Sequence, residues 1–281
     1  MNGSKKERII MNSLSIEETM HTLSAKAKNK SQLSLAKLIL LGIMAGGFIA
    51  LGYLAFIRVS ATMPKEWGSF STLLGAGLFP IGLIGITFLG GELVTGNGMT
   101  MMFGLLEKKV SFADVIRNWT LVLLTNIVGG LLVAYFFGHV VGLTEGDFAA
   151  KTMSVALGKL ADSPVQMLLS GIGCNIFVCM AVYLATMSKD IVGKMFGIWF
   201  PIMIFVVCGF QHVVANAFIL PAGFFAGADI SLADMLKNIF FVFVGNEIGG
   251  SIFLALPVYL SVSKPADELN TENVKEQVVH E

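Results

Sequence analysis

Long uncharged apolar runs separated by short clusters of charge make up most of the chain. Twenty residues between Lys37 and Arg58 carry no charge, enough to cover about 30 Å as a helix. Further uncharged runs cover residues 67–91, 118–144, 163–188 and 195–228, and a sixth covers 238–263, interrupted by Glu247. The pattern predicts an all-α integral membrane protein of six transmembrane helices. Ahead of the first run, residues 16–30 mix Met20, Leu23 and Ala25 with Glu17, Glu18, Lys26 and Lys28. That mixture predicts a short amphipathic helix at the inner membrane interface, with a solvated lead-in as the alternative. No small-residue cleavage site precedes the first run, so the N-terminus is expected to be retained. The predicted organisation is a cytoplasmic N-terminal segment over 1–35, a channel-like membrane domain over 36–262, and a disordered acidic tail over 263–281.

Composition agrees with the pattern and narrows the function. Hydrophobic residues make up 55% of the chain and charged ones only 14%, against about 25% charged in soluble domains. Nineteen basic and nineteen acidic residues cancel, which leaves no basic field for nucleic acid. Cys174, Cys179 and Cys208 lie in apolar runs and read as small core residues rather than a disulfide or metal framework. With both termini inside, fourteen Lys and Arg fall on the inner side and five, Arg58, Lys65, Lys151, Lys159 and Lys237, on the other. The positive-inside rule therefore places both termini in the cytoplasm of a multi-pass protein of the cell (plasma or inner) membrane. Lys26 and Lys28 read as part of that bias.

Two runs do not fit one straight helix each. Residues 195–228 are too long for one span and too short for two spans with a loop, and their polar groups, Gln211, His212 and Asn216, gather in the middle behind Gly209. The second run has the same shape, with Gly90 and Gly91 followed by Glu92, Thr95 and Asn97. Irregular backbone at membrane depth persists only where protein or a water-lined cavity satisfies it, so two breaks point to a pathway. The halves also align at an offset of about 120 to 130 residues. Phe79-Pro80-Ile81 meets Phe200-Pro201-Ile202, Asn97 meets Asn216, and Asn126-Ile127-Val128-Gly129-Gly130 meets Asn246-Glu247-Ile248-Gly249-Gly250. Tyr53-Leu54-Ala55 meets Tyr183-Leu184-Ala185. The first repeat covers 36–140 and the second 163–262. Three spans per half make the repeats inverted, with the second and fifth helices broken, a pattern that points to a midplane transport site.

Other chemistries lack their residues. A hydrolase needs a nucleophile with a base, paired aspartates or an HExxH metal motif, and the chain offers one deep histidine. A haem carrier needs paired axial ligands, but His21, His139 and His280 lie in or near polar segments. No cofactor and no metal are expected. A lone histidine in an apolar run is ordinarily a satisfied core residue; its place in a repeated helix break makes His212 a pathway candidate instead. Thr95 reads as a helix cap or a pore hydroxyl. Glu92 and Glu247 are expected to accept backbone N–H bonds from the breaks.

The segments Glu92-Leu93-Val94-Thr95-Gly96-Asn97, Asn118-Trp119, Cys174-Asn175-Ile176-Phe177-Val178-Cys179, Gly209-Phe210-Gln211-His212-Val213-Val214-Ala215-Asn216 and Gly245-Asn246-Glu247-Ile248-Gly249-Gly250 resemble the formate/nitrite transporter family over residues 15–262. The resemblance implies an aquaporin-like six-span protomer, a homopentamer, and one pore per protomer for small monovalent anions. It places the family's central histidine at His212 and its pore threonine at Thr95. It puts a cytoplasmic constriction at Leu83, Leu93 and Val94 and an outer one at Phe79 and Phe205. A vestibule lysine and its asparagine fall on Lys159 and Asn175, and Asn216 matches the asparagine after the histidine. Gln211 stands where relatives commonly carry glutamate, and Glu247 where several are uncharged. The expected function is anion transport through the bilayer with transient protonation at His212, whose unperturbed pKa of about 6.5 lies near neutrality. Formate leads because residues 216–223, with Pro221, resemble formate-type relatives. Nitrite, hydrosulfide and short carboxylates are alternatives, and an aquaporin-type neutral-solute channel is the nearest rival class.

Overall fold

The computed structural model describes residues 12–262, which are overwhelmingly helical; the acidic tail lies outside the described residues. Helix α1 (Ile16–Ser31) opens on a capping box, in which Ser15 Oγ accepts the Glu18 N–H and the Glu18 carboxylate accepts the Ser15 N–H. Next come α2 (Leu35–Ser60), α3 (Ser69–Leu78), α4 (Ile81–Leu89) and α5 (Val94–Leu106). Helix α6 (Phe112–Val133) runs on as a π-helical stretch, Ala134–Val140. After the short α7 (Ala149–Leu160) follow α8 (Pro164–Met187), α9 (Ile191–Val207), α10 (Val213–Phe225) and α11 (Leu232–Gly250). Helix α11 also continues through a π-helical stretch, Ser251–Ala255, into α12 (Leu256–Val262).

Among the described residues, five helices are long and apolar enough to cross a membrane: Leu35–Ser60, Ser69–Leu89, Phe112–Val140, Pro164–Met187 and Leu232–Val262. Helices α9 and α10 are apolar but individually short, because residues 208–212 interrupt them. Large side chains such as Leu40, Phe240 and Leu260 face outward, the surface of a multi-pass membrane protein rather than of a soluble bundle. The outer helices of each half approach closely enough that glycine is required. A Cβ on Gly129 of α6 would press on the Ile43 carbonyl of α2, and one on Gly249 of α11 on the Ile172 carbonyl of α8.

The two breaks are built alike. Gly90 and Gly209 both take left-handed backbone, with φ 75° and 73°, which removes the Cβ penalty of that turn. Gly91 N–H donates to Ile86 O and Phe210 N–H to Phe205 O. Leu93 and His212 then occupy matching extended N-cap positions, at φ −110°, ψ 120° and φ −114°, ψ 118°. One asparagine side chain closes each break. Asn126 Oδ1 accepts the Val94 N–H at 3.0 Å while its Nδ2 donates to Gly42 O and Glu92 O. Asn246 Oδ1 accepts the Val213 N–H at 2.9 Å while its Nδ2 donates to Gly171 O and Gln211 O. Each amide thus joins three helical segments and satisfies groups that water cannot reach.

Helix α1 lays its apolar face on protein. Met20 and Leu23 pack with Met99 and Phe103 of α5, and Ala27 is fully buried. Tyr183 Oη donates to Ile16 O, and Arg117 donates to Ser31 O and Leu33 O, so the helix is tied to α8 and α6.

Asn246→Leu keeps the branched shape of the side chain and deletes all three bonds. At about 1 kcal/mol per bond, the loss is on the order of 3 kcal/mol. The protein is expected to lose its monodisperse gel-filtration peak at a clearly lower temperature in a detergent melt. Asn126→Leu is expected to behave the same way. An unshifted melt for either variant would show that the breaks are held by something else.

Candidate functional site

The N-termini of α5 and α10 carry Thr95 and His212, and the structure brings them together. Thr95 Oγ1 lies 2.9 Å from His212 Nε2, and both residues are buried. His212 is also the N-cap of α10, where its Nδ1 accepts the Ala215 N–H at 3.1 Å. A backbone N–H can only donate, so Nδ1 is the unprotonated ring nitrogen and the ring proton sits on Nε2. Nε2–H therefore donates to Thr95 Oγ1, and the Thr95 hydroxyl is left to donate elsewhere. The N-terminus of α5, beside Thr95, has no side-chain cap, because Leu93 occupies the position that His212 holds in α10. Both helix N-termini add partial positive charge at this point.

Two cavities lie near the pair, one reaching His212 and the other reaching Leu93 and Gly96 on either side of Val94 and Thr95 in the chain. The larger, about 420 Å³, is lined by Leu83, Leu93, Glu92, Gly96 and Asn97, and by Leu23, Lys26, Asn29 and Lys30 of α1, with Lys194 also in its wall. Lys26, expected only as positive-inside bias, lines this cavity and donates to Thr186 Oγ1. The smaller, about 180 Å³, is lined by Tyr53, Phe79, Phe205, His212, Asn216 and Lys159. Its aromatic wall is continuous: Tyr53 and Phe79 meet edge-on at 5.5 Å, Phe79 and Phe205 at 5.6 Å, and the Phe205 and His212 rings lie 5.8 Å apart.

At the first break Asn97 Nδ2 donates to Glu92 Oε2 and Asn118 Oδ1, and Lys30 Nζ donates to Glu92 Oε1 at 2.6 Å in an ion pair. At the second, Asn216 Nδ2 donates to Gln211 Oε1 and Asn238 Oδ1. Lys159 Nζ donates to the Gly209 and Phe210 carbonyls that end α9. Glu92 thus binds side-chain donors, not the backbone N–H groups expected of it; the asparagines do that work.

Of the expected site residues, Thr95, Gln211, Val94 and Asn175 line neither cavity. Val94 is fully buried, with its N–H on Asn126, and lines neither cavity. Asn175, expected at the vestibule, is fully buried behind the pair, where its Nδ2 donates to Thr95 O and Asn246 O. Glu247 fills the space beside Gly98, where a Cβ would lie 2.5 Å from its Oε2. Among the described residues neither of its carboxyl oxygens has a hydrogen-bond partner, so it does not serve the breaks. Sequence reasoning gave no site role to Asn126, Asn246, Asn118, Asn238, Lys30 or Asp162. The first four were findable, because the asparagines recur at matching offsets in the two halves. Lys30 and Asp162 are far in sequence from the groups they serve and carried no signal.

A family model described as formate/nitrite transporter matches residues 17–260. The uncharacterized transporter YrhG of Bacillus subtilis (strain 168) is 50% identical over 236 residues, covering 84% of this chain and 88% of its own length. The formate channel BtFdhC of Bacillus thuringiensis is 45% identical, covering 82% of this chain and 89% of its own length. A solved pentameric formate channel with formate bound superposes with a TM-score of 0.70 at 26% identity, over 82% of this chain and 98% of its own. The match runs through both helix breaks and the pair between them: the chain belongs to the formate/nitrite transporter family, whose members are transporters and channels rather than enzymes.

Proposed function

We propose that the protein is a channel for small monovalent anions, formate first among them, with Thr95 and His212 at the centre of the pathway. The observation that carries this reading is the buried Thr95–His212 hydrogen bond between two lysine-bearing cavities. The relationship to a formate channel supports formate as the substrate. With α9 and α10 counted as one broken span, the chain has six spans in two inverted halves, an aquaporin-like arrangement. The positive-inside bias places α1 in the cytoplasm and α7 outside, in the cell (inner) membrane. The outward apolar faces fit a homopentamer like that of the solved relative, with one pore per protomer.

An unpaired charge at the bilayer centre costs at least about 2.5–3.5 kcal/mol. Two helix N-termini supply roughly 0.3–1 kcal/mol each, more when partly buried, and a hydrogen bond to a charged acceptor about 1.5–3 kcal/mol. The sum is comparable with the cost, so the pair can hold a small anion without a resident cation. In this tautomer it works as a hydrogen-bond donor through the Thr95 hydroxyl. Transient protonation of the anion requires a second proton on the ring, which has to displace the Ala215 N–H from Nδ1. Leu83 and Leu93 on one side and Phe79 and Phe205 on the other form apolar constrictions that exclude the anion's hydration shell. Lysines at both mouths favour an anion over a neutral solute.

In proteoliposomes, His212→Ala is expected to lower formate flux about tenfold, the effect of losing about 1.4 kcal/mol of stabilisation at the centre. The shape of the pH profile between pH 5 and 8 is expected to persist. A flattened profile would assign the transported proton to the ring, and unchanged flux would remove His212 from the pathway. Nitrite, hydrosulfide and a neutral solute run in parallel decide the substrate.

Lys159 lies on α7, outside the spans, and its burial against the break lowers its pKa to about 8. It is charged below that pH and neutral above it. Anion entry from the α7 side is therefore expected to decline as pH rises through about 8. Lys159→Arg, charged throughout, is expected to abolish the decline; a decline that survives it belongs to another group.

A further inference from the structure

The two breaks share their bonding but not their charge. At the first break the acceptor on the asparagine is a carboxylate, Glu92, and Lys30 is ion-paired to it. At the second the acceptor is the amide of Gln211, and a negative charge appears one link further out. Gln211 Nε2 donates to Asp162 Oδ2 at 2.7 Å and to Lys159 O at 3.0 Å. The amide is thus a relay, taking the asparagine N–H on its oxygen and handing its own N–H to Asp162. Lys159 makes no ion pair within 4.0 Å among the described residues; its Nζ donates only to the carbonyls of Gly209 and Phe210. Asp162 lies three residues along the chain, in the turn between α7 and α8, held by Gln211 rather than by the ammonium.

We infer that Asp162, fixed by Gln211 in the turn that follows Lys159, sets how strongly the α7-side mouth attracts the transported anion, and that Gln211 makes the two mouths electrostatically unequal. The inference rests on the anion-channel reading above. On the α1 side, Glu92 cancels the Lys30 charge at contact distance, while Lys26 and Lys194 also stand in the cavity wall. On the α7 side, the carboxylate has been moved off the break, so Lys159 meets the anion with its charge unpaired. Asp162 attenuates that field from a distance without neutralising it. A glutamate at position 211 would set a second carboxylate against Asp162, so the amide and Asp162 are compatible where two acids are not. Asp162 is a specificity-setting residue that acts through the field of Lys159; it touches neither Thr95 nor His212.

The test compares formate uptake into right-side-out spheroplasts and into inverted membrane vesicles, with sidedness checked by a C-terminal epitope. The readout is the ratio of half-saturating formate concentration on the α1 face to that on the α7 face. In the wild type this ratio is expected to lie below one, because three lysines and one carboxylate line the α1-side cavity against one lysine on the α7 side, and to rise toward one as ionic strength is raised and screening shortens the reach of the charges. Asp162→Asn keeps an oxygen acceptor for Gln211 and removes the charge, so the ratio is expected to rise about threefold, the effect of one partly solvated unit charge. Asp162→Asn/Gln211→Glu returns the carboxylate to the break and is expected to bring the ratio below the wild-type value. A wild-type ratio of one at low salt, or an Asp162→Asn ratio equal to the wild type's, overturns the inference. Absence of any wild-type anion flux would instead sink the channel reading itself, and the two failures are distinguishable in one preparation.

Discussion

Backbone that leaves a helix in the middle of a membrane must find hydrogen bonds where there is no water, and the structure turns on how that is done. Two side-chain amides, Asn126 and Asn246, each take one N–H and supply two N–H bonds of their own. This division suits asparagine, which presents a donor and an acceptor on one short rigid group. Aspartate would lose the donors and bring an uncompensated charge; leucine would lose every bond. With the breaks secured from behind, the N-termini of α5 and α10 can face each other without backbone collapse. The close approach allowed by Gly129 and Gly249 brings the amides within reach of the helices they bind.

On that shared frame the functional differences are substitutions at matching positions. Leu93 and His212 have the same backbone, yet only His212 has a ring that caps its own helix on one nitrogen and meets Thr95 with the other. A leucine there would leave Ala215 uncapped and Thr95 without a partner. Glu92 and Gln211 accept the same kind of asparagine N–H, yet one draws a lysine into contact and the other an aspartate. Where Gly42 matches Gly171 and Asn126 matches Asn246, Gly46 and Ile127 correspond to Asn175 and Glu247. Polar groups therefore back the Thr95 carbonyl on one side of the frame only.

Much of this was legible in the sequence because the membrane imposes simple rules. Charge-free runs marked the spans, and the excess length of residues 195–228 marked a break. The recurrence of Phe79-Pro80 at Phe200-Pro201 exposed the two similar halves. The identity of Thr95 and His212 as neighbours came from resemblance; no spacing rule joins residues 117 positions apart. What stayed hidden depends on side-chain reach. Lys30 looked like one positive-inside charge among several, and only the packing of α1 on α5 carries its ammonium to Glu92. Asn175 looked like a vestibule residue by position in the chain, but its helix face turns toward Asn246 and the back of Thr95. The carboxylates were assigned to the backbone because an acid is the obvious acceptor, yet the acceptor at each break is an amide oxygen, which carries no net charge into the apolar core.

That preference for neutral groups extends to the centre. A lysine or arginine at position 212 would attract an anion more strongly than an imidazole, but a fixed charge would also hold it and would have to be desolvated when the site is empty. A neutral ring that is already satisfied by Ala215 and Thr95 has no such cost in the empty state. The lysines stand away from this centre, Lys30 on the Glu92 carboxylate and Lys159 on the Gly209 and Phe210 carbonyls. On the channel reading proposed above, attraction and passage are separated along the path: lysines would raise the local anion concentration, apolar rings would strip water, and the hydroxyl and helix ends would replace just enough of that hydration for a small anion to cross. A deeper well would bind better and conduct worse, so on that reading a weak central site suits a channel better than a strong one.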